Sequence, residues 1–137
     1  MKHALALCTL LLASPAVADE DTLFADMGGK TGIDRMVDEV EKVYLVDPRI
    51  KDIFSESNLE RLNSELKTQF CVVAGGPCAY TGHSMEAAHK GLRLTNANFN
   101  ALVEDLQVAM DSCGIPFSTQ NRFLARLAPM QHQVVTR

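Results

Sequence analysis

The chain has 137 residues, 47% of them hydrophobic, with 13 Lys and Arg set against 17 Asp and Glu. That length holds one globular domain, and a net charge of −4 leaves no basic surplus to neutralise nucleic-acid phosphates or acidic lipid headgroups. Apolar residues spread along the whole chain argue against disorder and against a repeat array.

The first residues differ from the rest. Met1-Lys2-His3 is followed by an almost wholly apolar run to Ala13, then by Ala16-Val17-Ala18 before Asp19. A basic start, a short apolar stretch and small residues before an acidic one make a secretory signal peptide over residues 1–18. The run is too short to span a bilayer, which takes roughly 20 residues. The mature domain is then 19–137, periplasmic or secreted, in an oxidising compartment. Its three cysteines are Cys71, Cys78 and Cys113, and one disulfide plus one thiol is the simplest arrangement. A Cys71–Cys78 bridge would close a short loop through Gly75-Gly76-Pro77, but spacing alone leaves the pairing open. No CxxC or CxxCH occurs, which removes thioredoxin-like chemistry and c-type haem attachment.

In chain order, Leu23, Phe24 and Met27 form a short apolar start that stops at Gly28-Gly29, with Thr31 as the expected cap of a longer helix. Ile33, Met36, Val37, Val40, Val43 and Tyr44 recur at three- and four-residue spacing and predict an amphipathic helix that Asp47-Pro48 ends. Ile50, Ile53 and Phe54 belong to a short turn, and Asn58 caps a helix whose stripe is Leu59, Leu62, Leu66, Gln69, Phe70 and Val73. Gly75-Gly76-Pro77 stops it, and residues 77–83 are loop. Ser84 opens a short helix with Met85, Ala88, His89 and Leu92 on one face; Thr95 or Asn96 starts another, carrying Phe99, Leu102, Val103, Leu106 and Met110 to Cys113-Gly114. A last helix carries Phe123, Leu124 and Leu127, and residues 130–137 are either its end or a frayed tail. Sustained alternation is absent, so the fold is all-α.

Gly28-Gly29 after a vestigial helix, Asp47-Pro48 before a Phe54 corner, Gly75-Gly76-Pro77 followed by Tyr80-Thr81-Gly82, and Met85-x-x-x-His89 before Leu94-Thr95 together resemble a truncated haemoglobin, most closely the first group of that family. The resemblance runs from Leu23 to about Pro129. It implies a two-over-two helical sandwich around non-covalent haem b (iron protoporphyrin IX), with His89 as the proximal iron ligand. A neutral imidazole suits that role when its second N–H is held by a carbonyl or water. Phe54 matches the phenylalanine that packs on the porphyrin. Leu62, Leu66, Tyr80 and Met85 are expected to contact the macrocycle, and Arg61 to reach a propionate. His83 and His132 read as solvated surface residues.

The distal side departs from the family pattern. The position that usually carries a ligand-binding Tyr holds Glu41, and the usual partners on the next helix are Leu62 and Leu66. Positions 37, 41 and 44 share a stripe, which puts Glu41 at the pocket edge; Tyr44 turned inward is the alternative, and Gln69 and Leu102 complete the distal candidates. With no protein sixth ligand in view, a mainly five-coordinate ferrous iron is expected, open to oxygen, nitric oxide or carbon monoxide. Reversible gas binding by a monomer is the first reading. The alternative is a haem enzyme, a nitric oxide dioxygenase or weak peroxidase served by a periplasmic reductant, with Glu41 as an acid–base group on the peroxide route. Electron transfer would need a six-coordinate iron whose ligands are not visible, and a haem-free signalling scaffold runs against the retained His89 and Phe54.

Overall fold

The computed structural model of the chain describes residues 21–137, and the leader expected over 1–18 lies outside the described residues. Among the described residues seven α-helices follow one another: α1 Leu23–Asp26, α2 Gly29–Tyr44, α3 Leu59–Val73, α4 Met85–His89, α5 Asn96–Ser112, α6 Phe117–Leu127 and α7 Gln131–Val134. Short 3-10 turns at Lys51–Phe54 and Ala128–Met130 make the two corners. Among the described residues no strand is formed, as the periodicity predicts.

The helix starts follow side-chain chemistry. Asn58 accepts the Arg61 amide at the head of α3, Ser84 accepts the Ala87 amide at the head of α4, and Thr95 forms a reciprocal box with Asn98 at the head of α5. Each satisfies a first-turn donor that the helix leaves free. At α2 the expectation differs from the structure. Thr31 lies inside the first turn, and Gly28, at φ 86°, takes the cap position that a side chain would strain.

α2 packs against both α3 and α5, and α6 closes against α1, α3 and α5. The shared core is Ile33, Met36, Val37 and Val40 of α2, Phe70 and Cys71 of α3, Ala109 and Met110 of α5, and Phe123 of α6. Phe123 meets Phe70 edge-on, ring centres 5.2 Å apart. Burying each large side chain stabilises the fold by about 1.5–3 kcal/mol. Gly76 permits the tight exit from α3, where an added Cβ would meet the Phe24 ring at 2.4 Å and the Cys71 sulfur at 2.7 Å. The end of the chain is pinned: the Thr136 amide donates to the Leu94 carbonyl at 3.0 Å, and Thr136 Oγ1 accepts the Leu94 amide. Residues 131–134 are helix, not tail.

Candidate functional site

The two helical layers do not close on each other where α3 faces α4 and the start of α5. A cavity of about 970 Å³, its open mouth included, lies there. Concave, mainly apolar walls with a few polar groups are the make-up of a small-molecule or cofactor site. Leu62, Leu66 and Gln69 of α3 form one wall, Met85, Ala88 and His89 of α4 with Leu92 form another, and Asn98, Phe99 and Leu102 of α5 close the back. The corner after α2 adds Ile50, Ile53 and Phe54, and the α3–α4 loop adds Tyr80. The spacing of α3 explains why Leu62, Leu66 and Gln69 are only half-buried while Phe70 and Cys71 are buried: the former face the cavity, the latter the core.

His89 lies on the last turn of α4, four residues after Met85. Its Nδ1 is 2.7 Å from the Met85 carbonyl oxygen. A carbonyl only accepts, so Nδ1 carries the hydrogen and the neutral ring keeps its lone pair on Nε2. The ring is thereby oriented as a metal-ligating imidazole requires, in a cavity lined mainly by apolar side chains.

On α2 the cavity is lined by Tyr44 and not by Glu41, which corrects the expected order of the two. At ~100° per residue, Tyr44 falls ~20° from Ile33 on the helical wheel and Glu41 ~80° from it. The buried stripe therefore carries Tyr44 inward and leaves Glu41 on its flank, where Glu41 Oε2 accepts from Asn63 Nδ2 at 3.0 Å. The Tyr44 ring stacks on Phe54, centroids 4.1 Å apart. Its hydroxyl is buried with no hydrogen-bond partner. Burial first, and the nearby Glu41 charge second, push the phenol above its ordinary pKa, so it remains a neutral donor at physiological pH.

The other candidates divide. Leu62, Leu66, Phe54, Met85, Tyr80 and Leu102 all reach the cavity. Gln69 reaches it too, but its Nε2 donates to Met85 Sδ at 2.9 Å and so ties α3 to α4. Tyr80 donates its hydroxyl to the His83 carbonyl at 2.7 Å, which folds the loop on itself. Arg61 does not line the cavity: it is exposed and its Nε donates to Glu65 Oε1 at 2.8 Å. Glu65 does line it, together with Ile50, Ile53, Leu94, Asn98 and Val134, residues the site reading missed. Ile50 and Ile53 flank the identified Phe54 in one turn, a local signal that was there to use. Leu94 and Val134 are brought in only by tertiary packing.

Cys71 and Cys78 form a disulfide with Cα atoms 5.9 Å apart, and Cys113 is free. The bridge ties the end of α3 to the loop that carries Tyr80, so two parts of the cavity wall are joined covalently.

A helical sandwich around an apolar cavity holding one oriented histidine is the architecture of a globin. The chain belongs to the bacterial-like globin family, whose profile matches residues 22–136. It is similar to the group 1 truncated haemoglobin of Tetrahymena thermophila, 31% identical over 96 residues, covering 70% of this chain and 79% of that protein. It is also similar to the Synechocystis group 1 truncated haemoglobin GlbN, 32% identical over 99 residues, covering 69% and 80%. In fold it matches the Fe(III) truncated haemoglobin of Tetrahymena pyriformis with a TM-score of 0.82 at 23% identity, covering 84% of this chain and 98% of the other. Haem b is the cofactor of this family, and its members bind diatomic gases. Among the described residues no helix is long and apolar enough to cross a membrane.

Proposed function

We propose that this chain binds oxygen reversibly, and nitric oxide and carbon monoxide at the same position, as a monomeric haem b globin with His89 as proximal ligand. The observation that carries the reading is His89 on the cavity wall with Nδ1 committed to the Met85 carbonyl. The residues present fit the cofactor: a mainly apolar cleft open at one side, an imidazole with a free nitrogen, and an aromatic corner. Haem b supplies an iron with an open position at which a diatomic gas binds.

The chain's own residues supply the rest. Phe54 would pack on the macrocycle, and its ring stacks on Tyr44 and holds it in place. Leu62 and Leu66 exclude water from the distal side. The unpartnered Tyr44 hydroxyl is the donor available to a bound gas, from one helical turn beyond the family's usual position. Glu41, outside the cavity, is badly placed to act as the acid–base group of a peroxidase. A periplasmic or secreted location is supported by the leader-like residues 1–18 and by the Cys71–Cys78 disulfide, which suits an oxidising compartment. The test is titration of the haem-free protein with haem, then dithionite and carbon monoxide. One haem and one carbon monoxide per chain are expected, and failure to saturate at one haem would overturn the reading.

A further inference from the structure

The corner that carries Ile50, Ile53 and Phe54 begins at Asp47, and it is seated on α5 by an unusual set of charges. Arg49 grips Asp47 with Nε at 3.0 Å from both carboxylate oxygens and Nη2 at 2.8 Å from Oδ2. Its Nη1 donates to Glu104. Asp105, on the next position of α5, is buried at 4% exposure, and Asp47 is buried at 9%. Arg49 Nη2 comes no nearer than 3.8 Å to Asp105 Oδ1, and Asp105 Oδ2 has no donor at all. The two buried carboxyls thus flank one guanidinium nitrogen, Arg49 Nη2, at 2.8 Å from Asp47 Oδ2 and 3.8 Å from Asp105 Oδ1. One guanidinium therefore faces three carboxyls, two of them buried, and a buried carboxylate without a donor is costly.

We propose that Asp105 and Asp47 hold one proton between them, Asp105 donating its O–H to the Asp47 carboxylate, and that this proton seats the corner against α5. Loss of the proton sets two buried negative charges side by side and loosens the corner, and with it the cavity wall made by Ile50, Ile53 and Phe54. Asp105 is thus a positioning residue whose protonation sets how firmly the pocket is closed. That consequence for gas binding rests on the function proposed above; the shared proton does not.

The charged groups that act most on Asp105 are Asp47 and Arg49 from the corner and Glu104 from its own helix. Burial first, then the Asp47 charge, push Asp105 up to about 6, while the bond from Arg49 holds Asp47 below the usual carboxylate range. The two groups act in separate pH windows. Asp105 has a folded-state pKa above its unfolded value, so its contribution is present below about 4 and is lost as pH rises to about 6. Asp47 has a depressed pKa, so its contribution is lost only as pH falls below its unfolded value of 3.8.

The test follows the Asp105 carboxyl carbon by NMR against pH, together with amide exchange at Ile50 and Ile53 corrected for intrinsic rates, in the wild type, Asp105→Asn and Asp47→Asn. A midpoint near 6 is expected in the wild type, moved down in Asp47→Asn. Corner protection should fall as pH rises from 5 to 7 in the wild type, by roughly tenfold, the part of a two-unit pKa displacement that lies within that window. In Asp105→Asn it should stay flat. A wild-type midpoint near 4, or one that Asp47→Asn leaves in place, would overturn the shared proton. A wild-type corner whose protection does not follow the Asp105 titration would overturn the seating role. Should Asp105→Asn fail to fold, the wild-type titration and the Asp47→Asn comparison still decide. Haem uptake is measured separately, so its failure would remove the proposed function and leave the titration standing.

Discussion

Removing the Tyr44 hydroxyl should have opposite effects on the haem-free and the gas-bound protein. In the structure the hydroxyl is buried without a partner, and a buried unsatisfied donor costs about 1–3 kcal/mol. Tyr44→Phe keeps the ring stacked on Phe54 at its 4.1 Å spacing and removes only the orphan oxygen. The haem-free protein should therefore gain about 1 kcal/mol, raising Tm by roughly 3–6 °C for a domain of this size. In the haem-loaded protein the same hydroxyl is expected to donate to bound oxygen, a bond of about 1–2 kcal/mol. Its loss should speed oxygen release by roughly five- to thirtyfold. Carbon monoxide, a poor acceptor, serves as the control and should leave at a rate changed less than about twofold. Thermal unfolding of the haem-free protein and stopped-flow release of the two gases read these effects. A variant that unfolds at lower temperature, or that releases oxygen and carbon monoxide with unchanged rates, would refute the placement of this hydroxyl in the distal pocket.

Other consequences are simpler. Reducing Cys71–Cys78, or replacing both by Ala, should cost about 2–3 kcal/mol because a short loop loses its closure; urea unfolding with and without reductant measures it. The same treatment should speed haem loss to an acceptor globin, because the Tyr80 loop is freed from α3. Phe123→Ala, at a fully buried position edge-on to Phe70, should cost about 3–5 kcal/mol by chemical denaturation. Gly76→Ala should cost about 1–3 kcal/mol, since its new methyl would meet the Phe24 ring and the Cys71 sulfur.

The helices were legible wherever a stripe at three- and four-residue spacing met a polar cap, as at Asn58, Ser84 and Thr95. The start of α2 was not, because the chain caps it with Gly28 in a left-handed conformation and leaves Thr31 inside the turn. Of the site, His89, Phe54, Leu62, Leu66 and Met85 were named from motifs, and the structure gathers them on one cavity. Glu41 and Tyr44 were placed in the wrong order because three positions were grouped into one stripe without weighing the helical angle. About 60° separates the two, and packing of the buried stripe against α5 decides which faces in. The Asp47–Arg49–Asp105 cluster could not be read from spacing, since Asp105 joins it across 58 positions of chain. Only the seating of α5 against the corner brings the buried carboxyls together.

The most direct test of the central claim is the ultraviolet–visible spectrum of the haem-loaded protein, ferric and dithionite-reduced, beside His89→Ala. The account predicts a Soret band at one haem per chain, a mainly five-coordinate ferrous form in the wild type, and a band lost or altered in the variant. A wild type that takes up no stoichiometric haem, or a variant with an unchanged spectrum, would contradict it.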